Sequence, residues 1–202
     1  MTSIASITIE ASEPEAASRF YEDAFGLGDL LAVRPSDAPT TGFRAYTLSL
    51  VLPQPSSVDS YLGTAIDAGA TVLKPAAKSL WGYGGVVQAP DGAIWKAATP
   101  SKKEKGRPVR EIDEVVLLIG ASDVAASKQF YVDHGLTVER SFGKKYVEFK
   151  APAGHVKLGL YGRKALSKDA GVPVDGEGSH RLAIVNDSAA FTDPDGFVWE
   201  GA

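Results

Sequence analysis

Cysteine is absent from the 202 residues, which excludes disulfides, thiolate metal ligands and a cysteine nucleophile. Histidine is scarce: His134, His155 and His180 are the three present. Positive charge is not in excess either. With 21 basic and 25 acidic residues the chain carries a formal charge of -4, which argues against a nucleic-acid surface. No apolar run approaches the about 20 residues that a membrane-spanning helix needs. The opening Met1-Thr2-Ser3-Ile4-Ala5-Ser6 lacks the basic flank and apolar stretch of a signal peptide. These absences predict a cytoplasmic protein with no nucleic-acid or membrane partner. Gly-x-Ser-x-Gly, the phosphate-loop pattern and the dinucleotide glycine pattern are missing as well.

What remains is the composition of a soluble globular chain with a real core, 44% hydrophobic and 23% charged. Within it one phrase is written twice. Ala89-Pro90-Asp91-Gly92-Ala93-Ile94-Trp95-Lys96 returns as Asp193-Pro194-Asp195-Gly196-Phe197-Val198-Trp199-Glu200. A second pair also matches: Ser12 to Tyr21 parallels Ser122 to Tyr131, both ending in Phe-Tyr. The repeat predicts two domains, 1–100 and 109–202, joined by a linker at 101–108. The basic cluster Lys102-Lys103-Glu104-Lys105-Gly106-Arg107 falls in that linker and reads as a solvated tether.

Each helix phrase reads as opened by its serine. Ser12 with Glu15 three residues on forms a capping box, and Ala16, Phe20 and Ala24 with Ala17, Tyr21 and Phe25 form one apolar face. Gly26 ends that helix. Strands precede both phrases, at 4–11 and 112–119. In the first half a strand at 46–52 is followed by a helix bearing Val58, Tyr61, Leu62, Ala65 and Ile66 at helical spacing, then by a strand at 70–75. In the second half, 145–150 and 156–161 form an antiparallel pair turning at Pro152-Ala153-Gly154. A polar loop at 169–178 leads to a strand at 180–185, with no helix-length segment before the final hairpin. The first half is thus expected to lack a hairpin, and the second a helix.

The order strand, helix, strands, a Trp81-Gly82-Tyr83-Gly84-Gly85 stretch and a Pro-Asp-Gly-x-x-Trp hairpin resembles the vicinal oxygen chelate superfamily. That group includes glyoxalase I, bleomycin-resistance proteins and extradiol dioxygenases. The resemblance implies an α+β fold of tandem βαβββ modules, whose curved mixed sheets surround a small-molecule cleft, here as two abbreviated glyoxalase-like domains. It also implies metal ligands at four strand positions. In the first domain Lys96 takes the last of these, and a protonated lysine does not ligate. In the second domain Glu114 (or Val116, depending on register), His180 and Glu200 are the candidates, with Lys157 near the remaining position. Such a set would hold Mn, Fe, Ni or Zn. The alternatives for the same residues are structural: a wet strand edge for Glu114, local hydrogen bonds for His180 and a solvated end for Glu200.

Trp81 and Tyr83 offer flat faces beside glycines, suited to gripping a ligand, or else to filling the core at a strand bend. Ser6, Thr8 and Glu10 alternate with Ile7 and Ile9, which makes one polar strand face, a cleft wall or a solvent face. Trp95 and Trp199 are expected in the core. The resulting expectation is a small-molecule-binding protein with an aromatic-lined cleft, no complete metal site and no resident cofactor. The resemblance leaves a homodimer open, since such clefts form within one chain or between two. The other reading is a metal-dependent lyase, isomerase or dioxygenase.

Overall fold

The computed structural model describes residues 2–80 and 82–202. Its elements run β1 (Ile4–Ala11), α1 (Pro14–Ala24), β2 (Leu31–Pro35), β3 (Thr40–Gly42) and β4 (Tyr46–Val51). Then come α2 (Pro55–Asp67), β5 (Thr71–Ser79), β6 (Gly82–Gln88) and β7 (Ile94–Thr99). The second half adds β8 (Glu114–Ala121), α3 (Val124–Asp133), β9 (Val138–Ser141), β10 (Tyr146–Phe149) and β11 (Lys157–Gly162). It closes with α4 (Arg163–Ala170), β12 (Gly176–Gly178), β13 (Leu182–Asn186), β14 (Phe191–Thr192) and β15 (Val198–Gly201).

Two complete βαβββ modules lie in the middle of the chain. β4 to β7 and β8 to β11 join edge to edge through the antiparallel β4–β8 pair, giving one eight-stranded mixed sheet ordered β5-β6-β7-β4-β8-β11-β10-β9. The outer elements form a second sheet ordered β14-β15-β13-β1-β2. Both sheets therefore draw strands from each half of the sequence. The segments 1–100 and 109–202 are repeats in sequence that interleave in space.

Alternation along each strand assigns its two faces. Val115, Leu117 and Ile119 of β8, with Val87, Trp95 and Ala97 of β6 and β7, join the main core that also contains α1 and α2 residues. Trp95 and Trp199 are both buried there, as expected. Val116 and Leu118 of β8, with Val86 and Ile94, belong to a separate apolar cluster on the other face.

Several local expectations need correction. The cap of α1 is Glu13 and not Ser12, it makes no side-chain bond to the helix, and Pro14 takes the first helical position. In α3 the cap is Asp123, whose carboxylate accepts from the Ala125 and Ala126 N–H groups. Gly26 does end α1, with a φ of 63° and its N–H on the Tyr21 carbonyl. The second half does contain a second helix, the eight-residue α4. Its sequence, Arg-Lys-Ala-Leu-Ser-Lys-Asp-Ala, buries only Leu166, Ser167 and Ala170, too narrow a stripe to register as an amphipathic pattern. In the first half no hairpin separates β2 from β4. The three-residue β3 lies there and pairs with β12. The 101–108 segment is not a free tether. Buried Gln54 donates to the Gly106 and Arg107 carbonyls and accepts from the Lys105 N–H.

Candidate functional site

The face of the eight-stranded sheet away from α2 carries a row of four aligned residues. Lys96 on β7 pairs in register with Ser49 on β4, Ser49 with Val116 on β8, and Val116 with Lys157 on β11. The four central strands thus present two lysines, a serine and a valine. An ammonium has three donors and no lone pair at neutral pH, so neither lysine can coordinate a metal. The Ser49 hydroxyl is buried without a hydrogen-bond partner among the described residues.

Helix α4 lies on this face. Leu166 and Ala170 pack with Val116, Leu118, Val86 and Ile94, and Gly120 lets the helix start approach. A Cβ at Gly120 would sit 3.1 Å from the Arg163 Cα and 3.2 Å from the Ala45 carbonyl oxygen. Two lysines of the neighbouring strands hold the C-terminal end of the helix. Lys74 donates to the carbonyls of Lys168 and Asp169 at 2.7 and 2.6 Å, a favourable place for a cation. Lys96 donates to the Asp169 carboxylate at 2.8 Å, with side chains 30% and 41% exposed. At that exposure the pair contributes about 0.2–1 kcal/mol.

Beside α4 an open cleft of about 310 Å³ remains, bounded by β5, β6, β7 and Asp169. Gly84, Val86, Lys96 and Ala98 line it, with Lys74 and Lys78 at its β5 side. This volume lies at the lower end of the range for small-molecule pockets. Tyr83 borders it, but its hydroxyl donates to Asp59 of α2 at 2.7 Å, so the ring leans to the opposite face. Among the described residues the cleft is lined mainly by glycines, small apolar residues and lysines, with Tyr83 its one aromatic. Trp81 lies outside the described residues.

Glu114 reaches the same sheet face and is taken by a cation of the chain. The Lys157 ammonium, 13% exposed, contacts Glu114 at 2.8 Å, Glu148 at 3.1 Å and Glu139 at 3.2 Å. Burial alone would lower the lysine's pKa, but hydrogen bonds to Glu114, Glu148 and Glu139 outweigh it and hold the pKa above its ordinary value. Tyr146 adds a hydrogen bond to Glu148. Burial, first, and that carboxylate, second, push the Tyr146 phenol up.

Ser6, Thr8 and Glu10 lie on β1 in the five-stranded sheet. Ser6 pairs with Val185, and Val185 with Glu200, so Glu200 shares their sheet and not Glu114's. The Arg34 guanidinium bridges Glu10, at 2.6 Å, and Glu200, at 2.7 Å. Thr8 is buried, while Ser6 and Glu10 are half-buried. His180 precedes β13 instead of lying in it, because Arg181 adopts a positive φ of 53°. Its ring stacks on Phe197 at 3.8 Å, and its two nitrogens face the carbonyls of Arg44 and Asp195.

Glu114, His180 and Glu200 are therefore not brought together. Among the described residues no group of three or more His, Cys, Asp or Glu side chains is arranged to hold a metal. The cause is the module pairing, which puts β8 in one sheet and β15 in the other. The residues that sequence reasoning missed are the ionic partners: Arg34 on Glu10 and Glu200, Glu139 and Glu148 beside Glu114 on Lys157, and Asp169 on Lys96. The turn at 152–154 signalled the β10–β11 pairing, which places Glu148 opposite Gly159, near Lys157. No comparable signal marked Arg34 or Asp169.

No protein-family model matches the chain, and no curated protein matches it. Solved structures do. Glyoxalase I from Zea mays superimposes with a TM-score of 0.61 at 12% identity, over 98% of this chain and 91% of that one. Its V278E mutant gives 0.62 at 13%, over 100% and 92%. A putative dioxygenase from Bacillus subtilis subsp. subtilis str. 168 gives 0.62 at 11%, over 99% and 84%. Identities this low speak to the fold alone. With its paired βαβββ modules, the chain has the vicinal oxygen chelate fold.

Proposed function

We propose that the chain is a small-molecule-binding protein of the glyoxalase/bleomycin-resistance type, which takes its ligand in the cleft beside α4 without a metal. The observation that carries this reading is the row Lys96, Ser49, Val116 and Lys157 across the sheet. Its two charged members are cations, so the row offers hydrogen-bond donors and not metal ligands. The carboxylates nearest to ligand positions are already paired with cations of the chain, Glu114 with Lys157 and Glu200 with Arg34. A divalent ion would have to displace a tethered cation at either place.

The test begins with protein purified without an affinity tag. Elemental analysis should find no stoichiometric metal, and Mn, Ni, Zn or Fe should not raise the melting temperature, since a ligand of the folded state must do so. Native mass spectrometry should find a small molecule retained by the wild type and lost in Ala98→Phe, which fills the cleft. Stoichiometric metal, removed by chelation together with a drop in melting temperature, would overturn the metal-free reading. It would favour a metal-dependent lyase, isomerase or dioxygenase.

A further inference from the structure

Asp169 is the single carboxylate in a cleft that also presents Lys74, Lys78 and Lys96. It reaches Lys96 from the last turn of α4 and is 41% exposed there. The pair is thus formed in contact with water, where such contacts are weak and exchangeable. The Lys74 ammonium is otherwise engaged, on the two terminal carbonyls of the helix, and Lys78 is exposed. Lys96 is the remaining half-buried cation of the cleft, and the exposed Asp169 pair that holds it can exchange. Next to it in register lies Ser49, whose buried hydroxyl has no partner among the described residues. A buried hydroxyl left unpaired is costly.

The floor beside Lys96 is apolar and flat. Gly84 has no room for a side chain, since a Cβ would sit 2.8 Å from the Ala97 carbonyl oxygen and 2.9 Å from the Ala98 Cβ. Val86 and Ala98 continue that floor. A flat apolar body with one anionic group matches these surroundings.

We infer that the cleft takes a small organic carboxylate, whose carboxylate group replaces that of Asp169 on the Lys96 ammonium while its apolar body lies over Gly84, Val86 and Ala98. Asp169 is then a tethered competitor that occupies the anion position when no ligand is present. This inference rests on the cleft-binding reading above and adds the ligand's charge to it.

NMR titrations with benzoate, neutral benzamide and cationic benzylamine test it, on wild type, Asp169→Asn, Lys96→Met and Ala98→Phe. Circular dichroism melting of each variant checks that it is folded, with Lys96→Gln in reserve. Benzoate should bind the wild type in preference to the other two. Its affinity should rise about 1.4- to 5-fold in Asp169→Asn, the release expected for an exposed pair. It should fall at least about tenfold in Lys96→Met, and binding should be lost in Ala98→Phe. Unchanged benzoate affinity in Asp169→Asn or Lys96→Met overturns the proposal. Equal binding of benzamide and benzoate, abolished in Ala98→Phe, overturns the anion and keeps the cleft. Absence of any binding sensitive to Ala98→Phe overturns both.

Discussion

Tyr131 donates its phenolic proton to Asp193, tying the helix phrase of the second half to its hairpin phrase. Tyr21 makes the corresponding bond to Asp91 in the first. The two bonds use different aspartates of the motif, the first of Asp-Pro-Asp-Gly in one copy and the one before glycine in the other. With Asp193 taking the tyrosine, Asp195 is free to accept from the Ser122 N–H and the Ser127 hydroxyl. Tyr131→Phe removes a donor from a buried carboxylate that keeps two backbone N–H bonds, from Asp195 and Phe197. The expected cost is about 1–3 kcal/mol, read from urea unfolding.

The same carboxylate sets a pH dependence. Burial, the largest influence, pushes the Asp193 pKa up, against the hydrogen bonds from Tyr131 and Phe197 that lower it. A native pKa above the unfolded value means that the folded state binds more protons between the two. The contribution is fully present below about 3.9, the unfolded value, and is lost as pH rises through the native pKa. Asp193→Asn should remove that decline, visible as a flatter stability curve above pH 4.

Asp187 has the opposite sign. The backbone N–H of Ser3, first, and its hydroxyl, second, hold this carboxyl below its ordinary pKa. Its contribution is present above the unfolded pKa and is lost as pH falls through the native one. Ser3→Ala should move the Asp187 titration upward when followed by carboxyl NMR.

Lys157→Met leaves Glu114, Glu139 and Glu148 facing one another without their cation. Unfolding should become easier by about 1–3 kcal/mol, less than for a fully buried pair because Glu114 and Glu139 are partly exposed. Adding Glu148→Gln should recover part of that loss. In the wild type the lysine's raised pKa makes its contribution complete below about 10.4, and lost as pH climbs through the native value.

Leu166→Ala tests the seat of α4. The side chain is fully buried against the sheet, and its truncation should cost about 2–4 kcal/mol. Hydrogen exchange of amides 163–170 should accelerate before that of β8.

Both helices of the repeated phrase, both Pro-Asp-Gly hairpins and both core tryptophans were legible in the sequence, because each follows from local spacing and turn chemistry. The partnering of modules was not. Nothing in the Trp95 and Trp199 phrases says that β7 joins β8's sheet while β15 joins β1's. Glu114 and Glu200 looked like members of one set because strand positions were compared half by half. His180 looked like a strand residue until the positive φ of Arg181 broke the run. Tyr83, singled out by its setting among glycines, does line the cleft, but nothing in the sequence indicates that its hydroxyl turns to Asp59.

The interleaving of the two halves also bears on how the polypeptide is made. β1 lies between β2 and β13, so one of its two neighbours does not exist until the ribosome has passed Leu182. The central modules can assemble while synthesis continues, but the first strand must wait with an open edge, a liability for mispairing. Completion of that sheet is a long-range closure between the first strand and residues near 182–186.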